Sequence, residues 1–324
     1  MSLDAAQPHR DPADHGGGLD AARRRFGGAR SDWIDLSTGI NPVPFPLPDL
    51  PADCWTALPD QGAQDDLLAA ARLFWRVPDG AAIVAAPGTS ALIAQLPGTV
   101  PAGRVRIPGP TYNEHSRAFA AHGWAESSGA AEALVLVNPN NPDGRVWTGT
   151  DAEAGFVVID ESFADVAPAV SLVRLAARPG TVVLKGLGKF WGLAGLRLGF
   201  AIGDPALICR LSVRLGPWAV SGPALAAGTA ALRDDAWAAA ARARLVRDAA
   251  RLDALLTAAG AEIAGGTDLF RLVRLSNPRL WHMALARRHI WTRMFPYSTE
   301  WLRLGLPGSE VQWSRLAKAL EDVS

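Results

Sequence analysis

The stretch TVVLKGLGKFWGLAGLRLGFAI, residues 181–202, reads as two short apolar strands, TVVLK (181–185) and LRLGFAI (196–202), joined by a glycine-rich turn that holds Lys189. Arg197 stands eight residues after the lysine. A lysine in such a turn becomes a Schiff-base amine when a nearby cation or an apolar pocket depresses its pKa. Arg197 is placed to supply that charge and to bind a phosphate. The ordinary alternative is a solvated surface lysine, so the reading depends on partners elsewhere in the chain.

The same alternation extends upstream. AAIVAA (81–86), RVRI (104–107), ALVLV (133–137) and FVVID (156–160) are further apolar runs, separated by turn signals and by stretches that read as helices at 89–96, 112–122 and 171–178. Strands alternating with helices predict an α/β fold with a mostly parallel central sheet and helices on both faces. Functional groups are then expected at the C-terminal strand ends. Residues 221–260, rich in alanine with Pro223 near the start and Gly260 at the end, read as one long or two consecutive helices. Beyond them EIAGG, LFRLVRL (269–275), a helix at 279–288, IWTRMF (290–295), WLRLGL (301–306) and a final helix from 309 predict a smaller α/β domain. The expected organisation is an extended Gly- and Pro-rich arm over 1–50 that joins the small domain, a large cofactor-binding domain over 51–220, and a linking helix with the small domain over 221–324.

Composition narrows the class of partner. Lys plus Arg and Asp plus Glu both number 32 among 324 residues, which leaves no net field to recruit nucleic acid or an anionic membrane. No apolar run approaches the about 20 residues of a membrane span. MSLDAAQPHRDPADHGGG, the first eighteen residues, has no apolar core of the signal-peptide kind. Cys54 and Cys209 lack metal-type spacing and are expected to be reduced core thiols of a cytoplasmic protein.

Four further stretches stand beside the lysine turn. APGTSALIAQ (86–95) sets Gly88, Thr89 and Ser90 between a strand and a helix, where free N–H groups and two hydroxyls make a phosphate cup or an ordinary N-cap. Tyr112 in PGPTYNEH (108–115), one of only two tyrosines, is suited to stack on an aromatic ring or to fill a core. NPNNPDG (138–144) is a turn whose Asn141 amide can donate to a phenolate oxygen. Asp160 ends the apolar run VVIDESF (157–163), where a carboxylate can hold a pyridine nitrogen protonated, cap the next segment or, with Glu161, bind a metal. No His or Cys cluster accompanies the acidic pair, which weighs against metal. A phosphate cup, a ring stacker, an amide donor, an acid and an imine lysine thus follow in order at consecutive strand ends, the requirements of pyridoxal phosphate. VLKGLGKF lacks the earlier glycine and the following Ser or Thr of a nucleotide P-loop.

These residues resemble the fold-type I pyridoxal-phosphate enzymes of the aspartate aminotransferase superfamily, over nearly everything from His15 to Leu320. Within it the chain resembles the branch of histidinol-phosphate aminotransferases and, more closely, of the threonine-phosphate decarboxylases of cobalamin biosynthesis, through HGGG (15–18), STGINP (37–42), PGPTYNEH, IDESF, GKFWGLAGLRLGF, GGTDLFRLV (265–273) and WLRLGLPG (301–308). The resemblance implies that Lys189 carries the cofactor as a Schiff base, Asp160 pairs with the pyridine nitrogen, and Asn141 contacts the ring hydroxyl. Tyr112 would stack on the ring, while Gly88, Thr89, Ser90 and Arg197 would hold the phosphate. It implies a homodimer as well. Three positions depart from the superfamily pattern: Gly186 replaces a common phosphate-binding serine, Phe163 a tyrosine, and Leu58 a tyrosine that commonly reaches the neighbouring subunit. These departures bear on transamination more than on cofactor binding.

The reaction depends on how substrate is clamped, because the Cα bond perpendicular to the ring is the one that breaks. Arg293 and Arg303, each in an otherwise apolar run, can bind carboxylate or phosphate in bidentate fashion. His15, Gly16 and Gly17 are placed to close over a second anion, and Asn41 of STGINP is the remaining expected substrate contact. A small phosphorylated amino acid with two anionic ends, phosphothreonine, fits this inventory. Decarboxylation to aminopropanol phosphate is the first reading, with Lys189 or water returning a proton to Cα. An aminotransferase of the histidinol-phosphate type and a non-catalytic pyridoxal-phosphate protein are the alternatives.

Overall fold

The computed structural model describes residues 15–322. Residues 1–14, most of the stretch read against a signal peptide, lie outside the described residues. In chain order the strands are β1 Ile34–Asp35, β2 Ala82–Ala86, β3 Arg104–Arg106, β4 Ala125–Glu126, β5 Ala133–Val137, β6 Phe156–Asp160, β7 Thr181–Gly186, β8 Gly199–Gly203, β9 Glu262–Thr267, β10 Phe270–Arg274, β11 Ile290–Trp291, β12 Arg293–Met294 and β13 Trp301–Gly305. The helices are α1 Leu19–Phe26, α2 Gln61–Phe74, α3 Thr89–Gln95, α4 Glu114–Ala121, α5 Pro205–Leu215, α6 Gly222–Leu232, α7 Asp235–Ala258, α8 Pro278–Arg287 and α9 Glu310–Glu321.

The chain divides into two compact units. One holds residues up to Gly39, Asp248–Gly265 and Phe270 onward; the other holds Ile40–Arg247 and Gly266–Leu269. The divisions therefore fall near residues 40 and 248, where the sequence suggested 50 and 220. The 221–260 region is two helices, α6 and α7, with Pro223 in the first turn of α6. Residues 15–50 are more than an extended arm, since they include α1 and β1, and β1 pairs in parallel with β11.

The larger unit is built on a seven-stranded sheet of order β2-β8-β7-β6-β5-β3-β4. Every residue of β5, β6, β7 and β8 is buried, so both faces of its middle are covered, as an apolar parallel sheet requires. On one face Val135, Val158, Val182 and Ala201 pack with Leu92 of α3, Phe119 of α4 and Leu207 and Leu211 of α5. Each fully buried side chain of this size contributes about 1.5–3 kcal/mol. Only β8 runs against its neighbours, pairing antiparallel with both β2 and β7. That reversal brings the start of β8 to the edge where β2, β5, β6 and β7 end.

LRLGFAI begins as strand later than its apolar pattern suggests. Residues 194–196 form a 3-10 turn and Arg197 is left-handed, φ 54°, before β8 starts at Gly199. Cys209 corrects another expectation: it is exposed rather than a core thiol, and Cys54 is half-buried.

The smaller unit carries a four-stranded sheet, β12-β13-β10-β9. Its α8 holds His282, whose Nδ1 lies 2.8 Å from Thr292 Oγ1 and whose ring centroid lies 4.5 Å from that of Trp291. Burial, then the charge of Arg25, pushes His282 down to about 4. The folded protein holds a neutral imidazole that the unfolded chain protonates near 6.5, so this stabilisation is complete above pH 6.5 and is lost as pH falls toward 4. The thermal midpoint should drop through that window, and His282→Asn should flatten the slope; parallel curves would contradict the assignment.

Candidate active site

The C-terminal edge of the large sheet gathers the residues singled out in the sequence. Ala86 at the end of β2 and Gly186 at the end of β7 both pair with Gly199. Gly88, Thr89 and Ser90 after β2, Lys189 after β7 and Arg197 before β8 therefore meet at one place. Gly88, at φ 89°, caps α3. A Cβ there would lie 2.7 Å from Arg197 Nη2, so the guanidinium fills the space that only glycine leaves. Arg197 Nη1 donates to Ala194 O at 3.2 Å, which orients the group from its own turn. A guanidinium against a helix start, beside the Thr89 and Ser90 hydroxyls, is a cradle that fits a phosphate.

Gly186, where the superfamily often has a serine, is explained by Thr89. A Cβ at Gly186 would stand 2.6 Å from Thr89 Oγ1. The threonine hydroxyl thus occupies the ground next to position 186, and the cup keeps a hydroxyl there from a different strand end.

Asp160, 2% exposed, closes β6. His115 Nε2 lies 2.9 Å from its Oδ2, while Ser162 donates to Oδ1 from Oγ at 2.6 Å and from N at 2.9 Å. Burial works to raise the carboxyl's pKa, but the His115 bond and charge and the two Ser162 bonds outweigh it and hold Asp160 below the usual carboxylate value. An ionised carboxylate only accepts, so His115 donates from Nε2. His115 comes from α4, and the Tyr112 ring stands edge-on to it with centroids 6.1 Å apart. Neither His115 nor Ser162 was expected to take part, although both belong to quoted motifs.

Asn141, half-buried, follows β5 in a turn tied to the segment before Tyr112. Asn140 Nδ2 donates to Pro110 O at 3.0 Å and to Asp143 Oδ1 at 2.8 Å, and Thr111 Oγ1 donates to Asn140 Oδ1 at 2.5 Å. These bonds hold the Asn141 and Tyr112 turns together.

Lys189 is half-buried, with Nζ 5.4 Å from the centroid of the buried Phe163 ring. The Phe163 departure thus puts an apolar face beside the amine rather than a hydroxyl. Behind the turn lies a charged core that the sequence reading missed. Lys185, 2% exposed, sets Nζ 2.6 Å from Glu161 Oε2 and 3.3 Å from Asp165 Oδ1. Trp75 and Trp191 donate their indole N–H groups to Asp165 at 3.0 and 3.2 Å, and Ser171 Oγ donates to Glu161 at 2.6 Å. Glu161 is therefore the partner of Lys185, not a companion of Asp160. Trp191 also stacks on Trp237, centroids 5.2 Å apart and planes 15° apart.

The smaller unit groups the other expected contacts. Arg293 and Arg303 face each other across β12 and β13. Arg303, 4% exposed, donates from Nη2 to Ser37 O at 2.5 Å and lies over the Phe270 ring at 4.9 Å. Burial, then the Arg293 charge, pushes Arg303 down to about 9, so it stays protonated at neutral pH. Like charges opposite one another across a strand pair are unfavourable, and an anion relieves them. Gly17 N donates to Ser37 Oγ at 2.6 Å, Ser37 Oγ donates to Asp35 Oδ1 at 2.6 Å, and Trp291 Nε1 donates to Gly17 O at 2.8 Å. A Cβ at Gly16 would stand 2.5 Å from Ser37 O, so the HGGG turn rests directly on STGINP. His15 beside it is half-buried. Asn41 belongs to the larger unit. It is 2% exposed, with its amide engaged by Phe190 and Arg244.

Residues 124–320 match the family described as aminotransferase class I and II, and the chain belongs to that family. It is 42% identical to a threonine-phosphate decarboxylase of Sinorhizobium sp over 95% of this chain and 98% of the relative. Similarity to the Pseudomonas aeruginosa threonine-phosphate decarboxylase is 41% identity over 95% of this chain and 97% of that protein. The crystal structure of histidinol-phosphate aminotransferase from Sinorhizobium meliloti in complex with pyridoxal-5'-phosphate superposes with a TM-score of 0.78 at 17% identity, covering 98% of each chain.

Proposed function

We propose that the chain is a pyridoxal-phosphate-dependent lyase that decarboxylates L-threonine O-3-phosphate to (R)-1-amino-2-propanol O-2-phosphate in cobalamin biosynthesis. Identity above 40% along almost the whole length of two threonine-phosphate decarboxylases carries this reading. Bound pyridoxal phosphate supplies an aldehyde for an amine and a conjugated ring that withdraws electrons from a breaking bond at Cα. Gly88, Thr89, Ser90 and Arg197 hold its phosphate, and the ionised Asp160, braced by His115, accepts from its ring nitrogen. Tyr112 would stack on the ring, and Asn141 would donate to the ring hydroxyl. Lys189 Nζ would hold the cofactor, and its amine would be the group placed to give a proton to Cα, with water as the other donor. Arg293, Arg303 and the HGGG turn with His15, Gly16 and Gly17 take the anionic ends of the substrate.

Gly88→Ala tests the cradle. The new methyl displaces the Arg197 guanidinium, and loss of one charge-assisted contact should weaken cofactor binding roughly 10- to 100-fold, read by titrating cofactor into apoprotein. An unchanged affinity would remove Arg197 from the cup.

The reaction is tested by incubating protein and pyridoxal phosphate with phosphothreonine and following carbon dioxide and, separately, amino transfer to 2-oxoglutarate. Carbon dioxide with a stoichiometric amine product is expected. Transfer without carbon dioxide would replace the decarboxylase with an aminotransferase of the histidinol-phosphate type.

The homodimer belongs to this reading. Trp55, Leu58 and Trp218 are exposed at 68%, 66% and 53%, and Pro59, Cys209 and Trp218 line a groove of about 640 Å³ in the larger unit. Exposed tryptophans and leucine beside a groove support an interaction face here, and a single-chain mass in sedimentation would refute the dimer. The cytoplasmic location rests on the same identification.

A further inference from the structure

We propose that Asn41 and Arg244 are positioning residues for Lys189, fixing the turn that carries its amine, and that Asn41 does not bind substrate. The inference rests on the reading of Lys189 as the cofactor lysine. After β7 the chain leaves the sheet, and the carbonyls of the turn need new donors. Lys189 O accepts from Asn41 N at 3.0 Å and from Gly192 N at 3.1 Å, and Trp191 O accepts from Phe45 N at 2.9 Å. The segment Asn41-Pro42-Val43-Pro44-Phe45 thus runs along the turn like a strand. Its prolines cannot donate, and Val43 N is spent on Asn41 Oδ1 at 3.1 Å. The middle carbonyl, Phe190 O, is satisfied by a side chain instead, Asn41 Nδ2 at 2.8 Å.

Arg244 makes that amide directional. Its Nη2 donates to Asn41 Oδ1 at 2.6 Å. A guanidinium only donates, so the oxygen faces Arg244 and the nitrogen is left for Phe190 O. The fit is tight, because a Cβ at Gly192, φ 70°, would stand 2.7 Å from Pro44 Cα and 2.8 Å from Asn41 O. Buried at 2% exposure with oxygen and nitrogen both engaged, the Asn41 side chain is committed to the turn.

The test uses the full chain with pyridoxal phosphate as Asn41→Ala, Asn41→Asp, Arg244→Ala, Arg244→Lys and the double alanine variant. Four quantities are read: the rate at which added cofactor becomes borohydride-fixed to Lys189, located by peptide mass; the pH at which bound cofactor absorbance titrates; kcat; and KM. Asn41→Ala should slow fixation and lower kcat by about tenfold, the effect of losing an oriented buried hydrogen bond, shift the titration, and leave KM within about twofold. Asn41→Asp keeps the Arg244 contact but cannot donate to Phe190 O, and should match it. Arg244→Lys should recover most of the Arg244→Ala loss, and the double variant should be no worse than Asn41→Ala, since one residue acts through the other. A raised KM with normal fixation, or additive losses, would overturn the proposal. If Asn41→Ala does not fold, the Arg244 pair still decides through fixation rate and titration. Wild-type fixation at another lysine would instead refute the Lys189 assignment itself.

Discussion

Lys189→Ala should lose at least about 10⁴-fold in phosphothreonine turnover, the upper range for removal of an acid–base group, while still binding pyridoxal phosphate. The expectation follows from how the site divides its labour. Arg197 against Gly88 and the Asp160–His115 pair are held by their own bonds and need nothing from the lysine. Cofactor should therefore copurify or titrate with near-normal affinity, yet borohydride should fix none of it to protein. A variant that kept a reducible attachment would move the Schiff base to another amine. One that lost the cofactor entirely would show the cup to be weaker than its geometry.

Lys185→Met should destabilise the fold by about 3–5 kcal/mol, the typical result of removing one partner from a buried ion pair. Glu161 and Asp165 would be left facing each other in the core, with side chains 0% and 5% exposed. Burial alone would lower the Lys185 pKa, but the charges of Glu161 and Asp165 and their hydrogen bonds outweigh it and raise it above the ordinary lysine value. The stabilisation is thus complete below lysine's usual 10.5 and lost only as pH rises through the raised value. Urea unfolding at pH 7 measures the loss. Adding Glu161→Gln to Lys185→Met should recover part of it, because the uncompensated charge and not the missing methylenes is the main cost; a further full-sized loss would contradict that account.

Much of the large sheet was legible because its strands are buried on both faces. ALVLV is wholly apolar, FVVID and TVVLK carry their polar residues only at their ends, and Asn-, Glu- and Gly-containing turns follow them. The residues proposed to hold the cofactor follow from the same logic, since they stand at or near strand ends on one edge of the sheet. Legibility fails where a role depends on distant chain. Asn41 lies 149 positions from the Phe190 carbonyl it serves, and His115 lies 45 from Asp160; no local pattern reports either contact. Arg197 misled the strand boundary for a different reason. Its apolar neighbours fit a β pattern, while the left-handed backbone that turns the guanidinium toward Gly88 is set by packing. Glu161 reads in the sequence only as a cap or an alternative metal ligand beside Asp160, and its pairing with Lys185, 24 positions on, is reported by no local pattern.

The reversed direction of β8 has a consequence for how this protein can vary. A single loop leaves one strand end and returns to the next, and it offers an amine near one foot and a guanidinium near the other. In the proposed site the ligand's two ends would be gauged by one uninterrupted length of backbone, like the jaws of a calliper. Substitutions within 190–196 can retune the grip, but an inserted or deleted residue changes the span itself. Drift in loop length, tolerated elsewhere on such a sheet, is closed to this segment.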